Sequence, residues 1–464
     1  MVRLLSNQIN LIEKINYLTP EPSELMKKTI RVLSTVGLLA LSTNIVFSQD
    51  LILASGKTMN KSASSSSTNN FYSQPALDTT VVDEERPKIV MSGYIDTYIL
   101  HAFNSPQSGT LMGAPSINGG FPVGRAFDRT NDQFSLGLVQ TKFSYSDNKS
   151  DLVIDLTFGP NAELGNFGNT RGTTNLYIPG NNYVSQLYGT SAAIKQAYFT
   201  YKATPKLSLT VGQFGTHIGY EVIDAPINYN YSLSNLFNNG PFYHIGAKAS
   251  YAFSDKVTLM AGLVNNWDNL FDNNTQKSVI TQLYFKPADG FNIYLNYIGG
   301  YGDDTYLTTV ANATGAAYLE NYTRSLFDIT AGYQLTDKFY VGLNAAYGFY
   351  SFKATGADES AIVGAYGSTA PSWGGYAIYS NYAISDVLGL GVRYEYFDDD
   401  KYVRYIGTKN TSLTVTAPIT VADGRIIFKP EFRIDTAEKD YYEDKDGKAI
   451  KGQQTFGMAF IYKY

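Results

Sequence analysis

The chain has 464 residues, a formal net charge of −5 and no cysteine. So small a charge gives no reason to expect nucleic acid as a partner. The lack of cysteine excludes disulfides and thiolate metal sites. Apart from one stretch near the start, no apolar run is long enough for a transmembrane helix. Membrane-spanning β-strands are not excluded, because alternating strands give only a weak hydropathy signal.

The first 88 residues predict targeting rather than a fold. Residues 26–48 combine basic Lys27 and Lys28 with an apolar run up to Val46 and a small residue before Gln49. This is the pattern of a cleaved secretory signal peptide. The alternative, a single membrane anchor, would have only about 15 apolar residues, which is short for a span. Residues 1–25 are expected to be an upstream extension, and serine-rich residues 49–88 a disordered periplasmic lead.

Seven short turn signals punctuate the remaining residues, 89–464. Each contains Asp, Asn, Gly or Pro, which suit tight turns. Between one turn and the next lie a strand, a long polar loop and a second strand, so the turns separate eight hairpins. This pattern gives about 16 strands, with short turns on the periplasmic side and long loops on the extracellular side. It is the layout of an outer-membrane barrel. The turns are Asp147-Asn148-Lys149, Thr204-Pro205-Lys206, Ser254-Asp255-Lys256, Ala288-Asp289-Gly290, Thr336-Asp337-Lys338, Ser385-Asp386 and Ala422-Asp423-Gly424.

Alternation between apolar and polar residues supports the same fold. Phe327 and Ile329 stand on one face of a strand, opposite Asp328 and Thr330. A soluble β-sandwich also alternates, but its strands are commonly about five or six residues long, and these run to about ten, as a tilted bilayer crossing requires. We therefore predict an all-β transmembrane antiparallel β-barrel of about 16 strands. Pro430 removes a ladder donor, which indicates a bulge or a different strand boundary there.

Several stretches resemble the OmpL-like β-barrel porins of Gram-negative bacteria. The resemblance is dense over residues 125–300 and looser over 300–464. It implies an outer-membrane pore and supplies no catalytic residues. The terminal Tyr464 is similar to the aromatic residue that many outer-membrane proteins present to the barrel-assembly machinery. The matching stretches are Gly124–Arg129 with Phe134-Ser135-Leu136, Lys195–Phe199, Val211–Glu221, Asn228–Ser234, Gly240–Gly246 and Val264–Asp268.

Ten charged residues are predicted to line the pore. A barrel of about 16 strands leaves an aqueous channel, and facing lumen charges help to set its selectivity. The mixed signs predict weak ion selectivity. The alternative for any single charge is that it forms an ion pair with a neighbour on the barrel wall and has only a structural role. Arg393 with Glu395, or Arg425 with Glu431, would be such a pair. The candidates are Asp151, Asp155, Lys248, Asp328, Arg393, Glu395, Arg425, Lys429, Glu431 and Arg433.

The long segment between Gly215 and Gly240 is rich in Tyr and Asn. A loop of this kind suits folding into the barrel to narrow the pore, and Tyr rings and Asn amides also bind sugars. The alternative is an ordinary extracellular loop packed on its neighbours. The candidate constriction residues are Glu221, Asp224, Tyr229 and Tyr231.

Neither a metal site nor a catalytic site is predicted. Acidic groups in the predicted loops offer oxygen ligands for Ca²⁺, but none has EF-hand spacing, so solvated loop charge is the expected role. His217 and His244 flank the long loop, with Ser232 and Ser234 between them, yet no spacing supports a triad. No cofactor motif is found. The acidic groups are Asp268/Asp272, Asp303/Asp304, Asp398–Asp400 and Glu443/Asp444/Asp446.

The sequence thus predicts a non-enzymatic porin, set in the lipid of the cell outer membrane, through which small hydrophilic solutes diffuse. No cofactor, metal or nucleic acid is expected. The alternative is a non-conducting barrel that acts as an adhesin or structural anchor through its extracellular loops. Whether copies associate into a homo-oligomer, and which solute passes, stay open.

Overall fold

The computed structural model describes residues 89–109, 111, 125–166, 189–270, 276–301, 323–351, 370–404 and 406–464. The predicted extension, signal peptide and lead lie outside the described residues, as do Asp272, Asp303 and Asp304. In the described part, no helix has the length and apolar character of a membrane span.

Sixteen antiparallel strands close into one barrel. Strand β1 pairs with β2 on one side and with β19 on the other, so the ring has no free edge. The sheet has 17 segments, of which β14 and β15 are two parts of one strand. The segments are β1 (Val90–Ala102), β2 (Phe134–Ser146), β3 (Ser150–Phe158), β4 (Ile194–Thr204), β5 (Leu207–Gly215), β6 (Tyr243–Ser254), β7 (Val257–Val264), β8 (Ser278–Ala288), β9 (Phe291–Tyr301), β10 (Thr323–Thr336), β11 (Phe339–Ser351), β12 (Ser372–Ala383), β13 (Gly389–Asp398), β14 (Lys409–Thr416), β15 (Ile419–Val421), β16 (Ile426–Ala437) and β19 (Gly452–Lys463).

Five short elements complete the described part of the chain. Helix α1 (Pro160–Gly165) and a 3₁₀ helix (Gly189–Ala193) lie between β3 and β4, and helix α2 (Asn235–Asn238) lies between β5 and β6. Segments β17 (Tyr442–Glu443) and β18 (Ala449–Ile450) form a separate two-stranded hairpin between β16 and β19.

All seven predicted turns connect neighbouring strands at one end of the barrel, here named the turn end; the opposite end is the loop end. Both ends of the barrel's chain meet at the turn end, where the backbone N–H of Gly93 donates to the Tyr464 carbonyl at 3.1 Å. In the first turn, Asp147 Oδ1 accepts the backbone N–H groups of Lys149 and Ser150 at 2.7 and 2.6 Å. These hydrogen bonds lower the pKa of the Asp147 carboxyl. The turn prediction is confirmed.

Two prolines, Pro418 and Pro430, explain the interruption between β14 and β15. Neither has a backbone N–H that could pair across the strands. Thr416 pairs with Glu431 and Ile419 with Phe428, so the register is the same on both sides of the gap. Pro430 lies within β16, and its carbonyl accepts the N–H of Ala417 at 3.0 Å. The expectation of a bulge or a different boundary at Pro430 is therefore wrong. The strand continues, and Pro430 only omits one donor.

The two faces of the wall have the polarity that a membrane barrel requires. Leu390 and Tyr394 are 37% and 42% exposed, whereas Arg393 and Glu395 on the opposite face of β13 are fully buried. A soluble protein would show the reverse. Apolar side chains therefore point outward toward lipid, and charged side chains point into the barrel.

Two bulges redirect interior side chains. Between β1 and β2 the register shifts between Ile95 and Thr97, so Asp96 faces two residues of β2. Between β3 and β4 it shifts after Asp155, and Lys195 is the extra residue. A bulge breaks the period of two and re-aims a side chain. Lys195 consequently joins Gln196 on the interior side, where both contact Asp155.

The outward face predicts a depth-dependent cost for charge. Ile378 is 49% exposed near the middle of β12, and Tyr382 is exposed close to the turn end of the same strand. We expect Ile378→Arg to lower the free energy of unfolding by about 2–4 kcal/mol and Tyr382→Arg by about 1 kcal/mol or less. Denaturant titration of the barrel in lipid vesicles measures both. Equal costs for the two variants would contradict the assigned membrane depth.

Candidate functional site

The segment between β5 and β6, residues 216–242, crosses the barrel interior; it is here named the inner loop. At one side Asp224 accepts a hydrogen bond from Lys195 of β4 at 2.5 Å. On another side Asn230 Nδ2 donates to Thr416 Oγ1 of β14 at 2.7 Å. Elsewhere Gly219 donates its N–H to Asp328 of β10 at 3.1 Å. Because these strands lie on different sides of the closed ring, the loop spans the space that the wall encloses.

Further contacts fix the inner loop around the circumference. The Tyr220 ring stacks on Tyr379 of β12 with centroids 4.1 Å apart. The Tyr231 hydroxyl donates to Asp96 of β1 at 3.2 Å. The sequence left an interior loop and a surface loop as alternatives, and these contacts match the interior arrangement.

Local sequence features shape the inner loop. Gly219 has φ +92°, a conformation that L side chains rarely adopt, and its N–H is thereby directed to Asp328. Ser234 caps helix α2 by accepting the N–H of Phe237 at 3.1 Å. The side chain of Asn228 accepts the N–H of Val222 at 3.1 Å, closing a turn of the loop on itself.

The first charged cluster joins the inner loop to β13. Arg393 Nη1 lies 2.6 Å from Glu221 Oε1 and donates to the Ser232 carbonyl at 2.5 Å. Glu395 accepts the N–H of Asn235 at 2.6 Å and lies 3.6 Å from Arg393 Nη2. The Arg393 guanidinium thus binds a carboxylate and a carbonyl of the loop at the same time.

The same cluster continues onto β16. Arg433 Nη2 lies 3.2 Å from Glu395, and its Nε donates to Asp435 at 2.7 Å. Asp435 also lies 3.0 Å from Arg125, which pairs in turn with Asp128 at 2.6 Å. Charges from β13, β16 and the chain before β2 therefore form one continuous network of ion pairs.

Lys429 and Glu431 of β16 hold the loop backbone rather than each other. The ammonium group of Lys429 donates to the carbonyls of Ala225 and Asn228. Glu431 accepts the N–H groups of Tyr231 and Ser232 at 2.7 and 3.1 Å. Backbone dipoles of the loop thus compensate two wall charges of opposite sign.

A second cluster joins the loop to β1, β2 and β4, and it includes Asp155 of β3. The Lys195 ammonium lies 2.5 Å from Asp224 and 3.4 Å from Asp155. The Gln140 side chain donates to both carboxylates, at 2.9 Å to Asp224 and 3.1 Å to Asp155. The Tyr94 hydroxyl donates to Asp224 at 3.3 Å. Asp224 is therefore held by side chains from three strands, one of which is the cation Lys195.

The remaining predicted residues lie outside these two clusters. Asp328 contacts the loop through Gly219, and Lys248 places its ammonium 4.3 Å from the Phe214 ring centroid. Asp151 pairs with Lys202 at 2.7 Å close to the turn end. The Tyr229 hydroxyl donates to the Tyr382 carbonyl at 3.4 Å.

The structure corrects the prediction for Arg425. This residue precedes β16, follows the turn at Gly424 and is exposed, so it does not join the interior charges. Alternation was extended one residue too far, into a turn where the period of two no longer applies. The suggested pairing of Arg425 with Glu431 is wrong for the same reason.

The sequence prediction missed several interior charges, among them Arg125, Asp128, Lys195 and Asp435. Asp435 lies two residues after Arg433 on the same face, so strict alternation could have found it. Arg125 and Asp128 lie in one of the stretches that carry the family resemblance, but their contact with Asp435 depends on the closed ring. We find no sequence pattern that predicts the bulge by which Lys195 points into the barrel.

The histidine and serine side chains of the interior are engaged in separate contacts. The rings of His217 and His244 lie 5.6 Å apart, as expected for residues that flank one loop. His217 Nε2 lies 3.0 Å from the Tyr297 carbonyl, and His244 Nε2 lies 3.0 Å from Thr216 Oγ1. Ser232 Oγ accepts from Arg393 instead. The contacts of His217, His244 and Ser232 in the described structure are thus with other residues and not with one another as a serine–histidine pair.

The acidic groups at the loop end that the structure describes stabilise turns. Asp399 accepts the backbone N–H groups of Val403, Arg404 and Ile406 at 2.7–3.0 Å. Burial raises the pKa of the Asp399 carboxyl to about 6, although these N–H groups favour its charged form. Glu443 accepts a hydrogen bond from the hydroxyl of Ser108. A search of the described residues finds no group of three or more metal-binding side chains.

A closed 16-strand barrel with an apolar exterior and a charged interior defines the class of outer-membrane channels. The chain belongs to the family described as "Putative beta-barrel porin-2, OmpL-like", whose profile matches residues 88–464. The resemblance found in the sequence is confirmed. The protein is thus a passive channel of the outer membrane. Among curated proteins, none matches the sequence.

Several solved structures are similar to this chain. Outer-membrane expressed OmpT of Vibrio cholerae is 12% identical with a TM-score of 0.45, and the alignment covers 83% of this chain and 100% of that one. For the anion-selective porin from Comamonas acidovorans these values are 8%, 0.48, 82% and 100%. For the outer membrane channel DcaP of Acinetobacter baumannii they are 11%, 0.47, 82% and 99%. Similarity at this level says nothing about the solute.

The fully buried Arg393 predicts a large loss of stability when its charge is removed. We expect Arg393→Met to lower the free energy of unfolding by about 3–5 kcal/mol, because Glu221 and Glu395 stay buried without that cation. Lys202→Met, which breaks the partly exposed pair with Asp151, should cost about 1 kcal/mol or less. Denaturant titration in vesicles compares the variants. Similar small losses for both would show that the Arg393 pair does not hold the inner loop.

Proposed function

We propose that the inner loop forms the constriction of this channel and that small hydrophilic solutes diffuse past it. The observation that carries the proposal is its anchoring on several sides of the ring, through Glu221 to Arg393, Asp224 to Lys195 and Gly219 to Asp328. A segment tied to opposite walls keeps its place in the lumen and reduces the cross-section that a solute can use.

The same arrangement supports a weak overall ion selectivity. Most interior cations are paired with carboxylates at short distance, as Arg433 is with Asp435 and Arg125 with Asp128. Paired charges present dipoles rather than a field of one sign to a passing ion. We assign the pore-lining role to the buried candidates as a group, and not to exposed Arg425.

Several buried polar atoms of the interior have no hydrogen-bond partner in the described part of the protein. Among the described residues these include Asp96 Oδ1, Asp155 Oδ1, Arg393 Nε and Asn235 Nδ2. An unpaired buried polar atom is costly unless water satisfies it. We infer that bound water supplies the missing hydrogen bonds of these atoms beside the inner loop.

The remaining parts of the proposal follow from the exterior and the chain ends. We propose a channel without catalytic activity, because the interior histidines and serines are held in separate contacts. The outward apolar face would contact outer-membrane lipid, residues 26–48 would direct secretion, and Tyr464 would be presented to the barrel-assembly machinery. Association into a homo-oligomer is a further proposal, to be read from the mass of the purified barrel.

Shortening the inner loop tests the constriction. We expect replacement of residues 222–232 by a short glycine-serine linker to raise the single-channel conductance severalfold, because the bridges through Asp224, Asn230 and Tyr231 are removed. Planar-bilayer recording measures the change. The matched control deletes exposed Lys445 and Asp446 at the tip of the β17–β18 hairpin and should leave the conductance unchanged.

Two results would decide against the proposal. Equal conductance with the full and the shortened loop would show that the narrowest point lies elsewhere. A wild-type barrel that conducts at no voltage would favour the anchor or adhesin, whose extracellular loops bind a surface partner.

A further inference from the structure

Asp328 differs from the interior carboxylates that pair with a Lys or Arg side chain. Glu221, Asp155 and Asp435 each have a Lys or Arg partner within 4.0 Å. The Asp328 carboxylate is buried and contacts only uncharged donors among the described residues. Those donors are Asn296 Nδ2 at 2.7 Å, Asn344 Nδ2 at 2.6 Å and the Gly219 N–H at 3.1 Å.

A cavity between the inner loop and the wall opens onto this carboxylate. The cavity is small: the centres of water-sized molecules can occupy about 20 Å³ of it, which suits only a group of very few heavy atoms. Asp328 and Asn344 supply its polar groups on the wall, while aromatic and aliphatic side chains supply most of the rest. The apolar lining is Ile218, Leu236, Phe237, Leu326, Trp373 and Phe397.

The lining chemistry selects for a cation. A buried carboxylate without a counter-charge is unfavourable, and a cation that reaches it recovers that energy. The faces of Trp and Phe rings also attract cations. The chain already uses this contact nearby, since the Arg324 guanidinium lies 3.9 Å from the Trp267 ring centroid and the Arg404 guanidinium 5.5 Å from that of Trp373.

An ammonium group fits this lining better than a bare metal ion does. It offers several N–H donors, which the Asp328 oxygens can accept. Its carbon substituent can pack on aliphatic neighbours such as Leu236 and Leu326, which offer a metal ion no ligand. A hard metal ion requires several oxygen ligands, and Asp328 is the only carboxylate among the described residues of the lining.

We propose that this cavity is a binding subsite for the ammonium group of small amines, with Asp328 as the anionic partner. The proposal deepens the proposed function and rests on it in one respect, because the amine reaches the cavity through the lumen. It assigns one class of solute, small organic cations, that the channel retains during passage.

Tryptophan fluorescence can report binding without conduction. The chain has only two tryptophans, and Trp373 lines the cavity whereas Trp267 does not. A Trp267→Phe barrel in detergent therefore carries one reporter. We expect methylammonium chloride to change its emission in a saturable way. Potassium chloride at the same ionic strength and methanol, a neutral molecule of similar size, should leave the emission unchanged.

Removing the carboxylate charge identifies the partner. In the same background, Asp328→Asn should weaken methylammonium binding about tenfold or more, as loss of a charge-assisted contact does. Asp386→Asn makes the same change at an exposed turn and should bind like the parent. Equal binding by Asp328→Asn and the parent, or equal responses to potassium and methylammonium, would overturn the assignment.

A second variant covers the case in which Asp328→Asn fails to fold. Ala346 lines the cavity and pairs with Asp328 across β10 and β11. Ala346→Leu keeps the carboxylate and narrows the space, so it should also weaken binding about tenfold. Undiminished binding by this variant would place the amine elsewhere.

The fluorescence assay separates this subsite from the constriction. A saturable response from a barrel that does not conduct would support the subsite and contradict the channel. Conduction without any response to methylammonium would support the channel and overturn the subsite.

Discussion

Pairing of backbone polar groups within the bilayer is the constraint on which this structure depends. Lipid offers no partner for N–H or C=O groups, so a sheet can cross only if it closes on itself. The pairing of β1 with both β2 and β19 meets that requirement. The pleat gives each strand a period of two. In the closed ring that period directs apolar residues to the lipid and charged residues such as Arg393 inward.

Charges collected inside the ring need counter-charges, and the inner loop supplies many of them. Glu221 compensates Arg393, Asp224 compensates Lys195, and loop carbonyls accept from Lys429. The charges of the wall and those of the inner loop therefore stabilise one another. The loop is therefore held in the barrel interior by charged side chains of the wall.

Features governed by local rules were predictable from the sequence. The seven turns and the alternation of strands such as β10 and β13 follow from turn chemistry and from the period of two. Features that depend on closure were not. Glu221 meets Arg393 across 172 residues, and the bulge at Lys195 reverses a side chain that alternation sends outward. Arg425 shows the opposite error, since alternation was applied where the strand had already ended.

The position of the inner loop is the central claim, and the absence of cysteine allows it to be measured directly. Asn230 and Thr416 are in contact at 2.7 Å, one on the loop and the other on β14. With both replaced by cysteine, a short thiol-specific cross-linker applied to outer membranes should join them in most molecules. A surface loop would leave the pair uncoupled, even when a cysteine pair across the β10–β11 hairpin reacts fully, and that result would contradict the account.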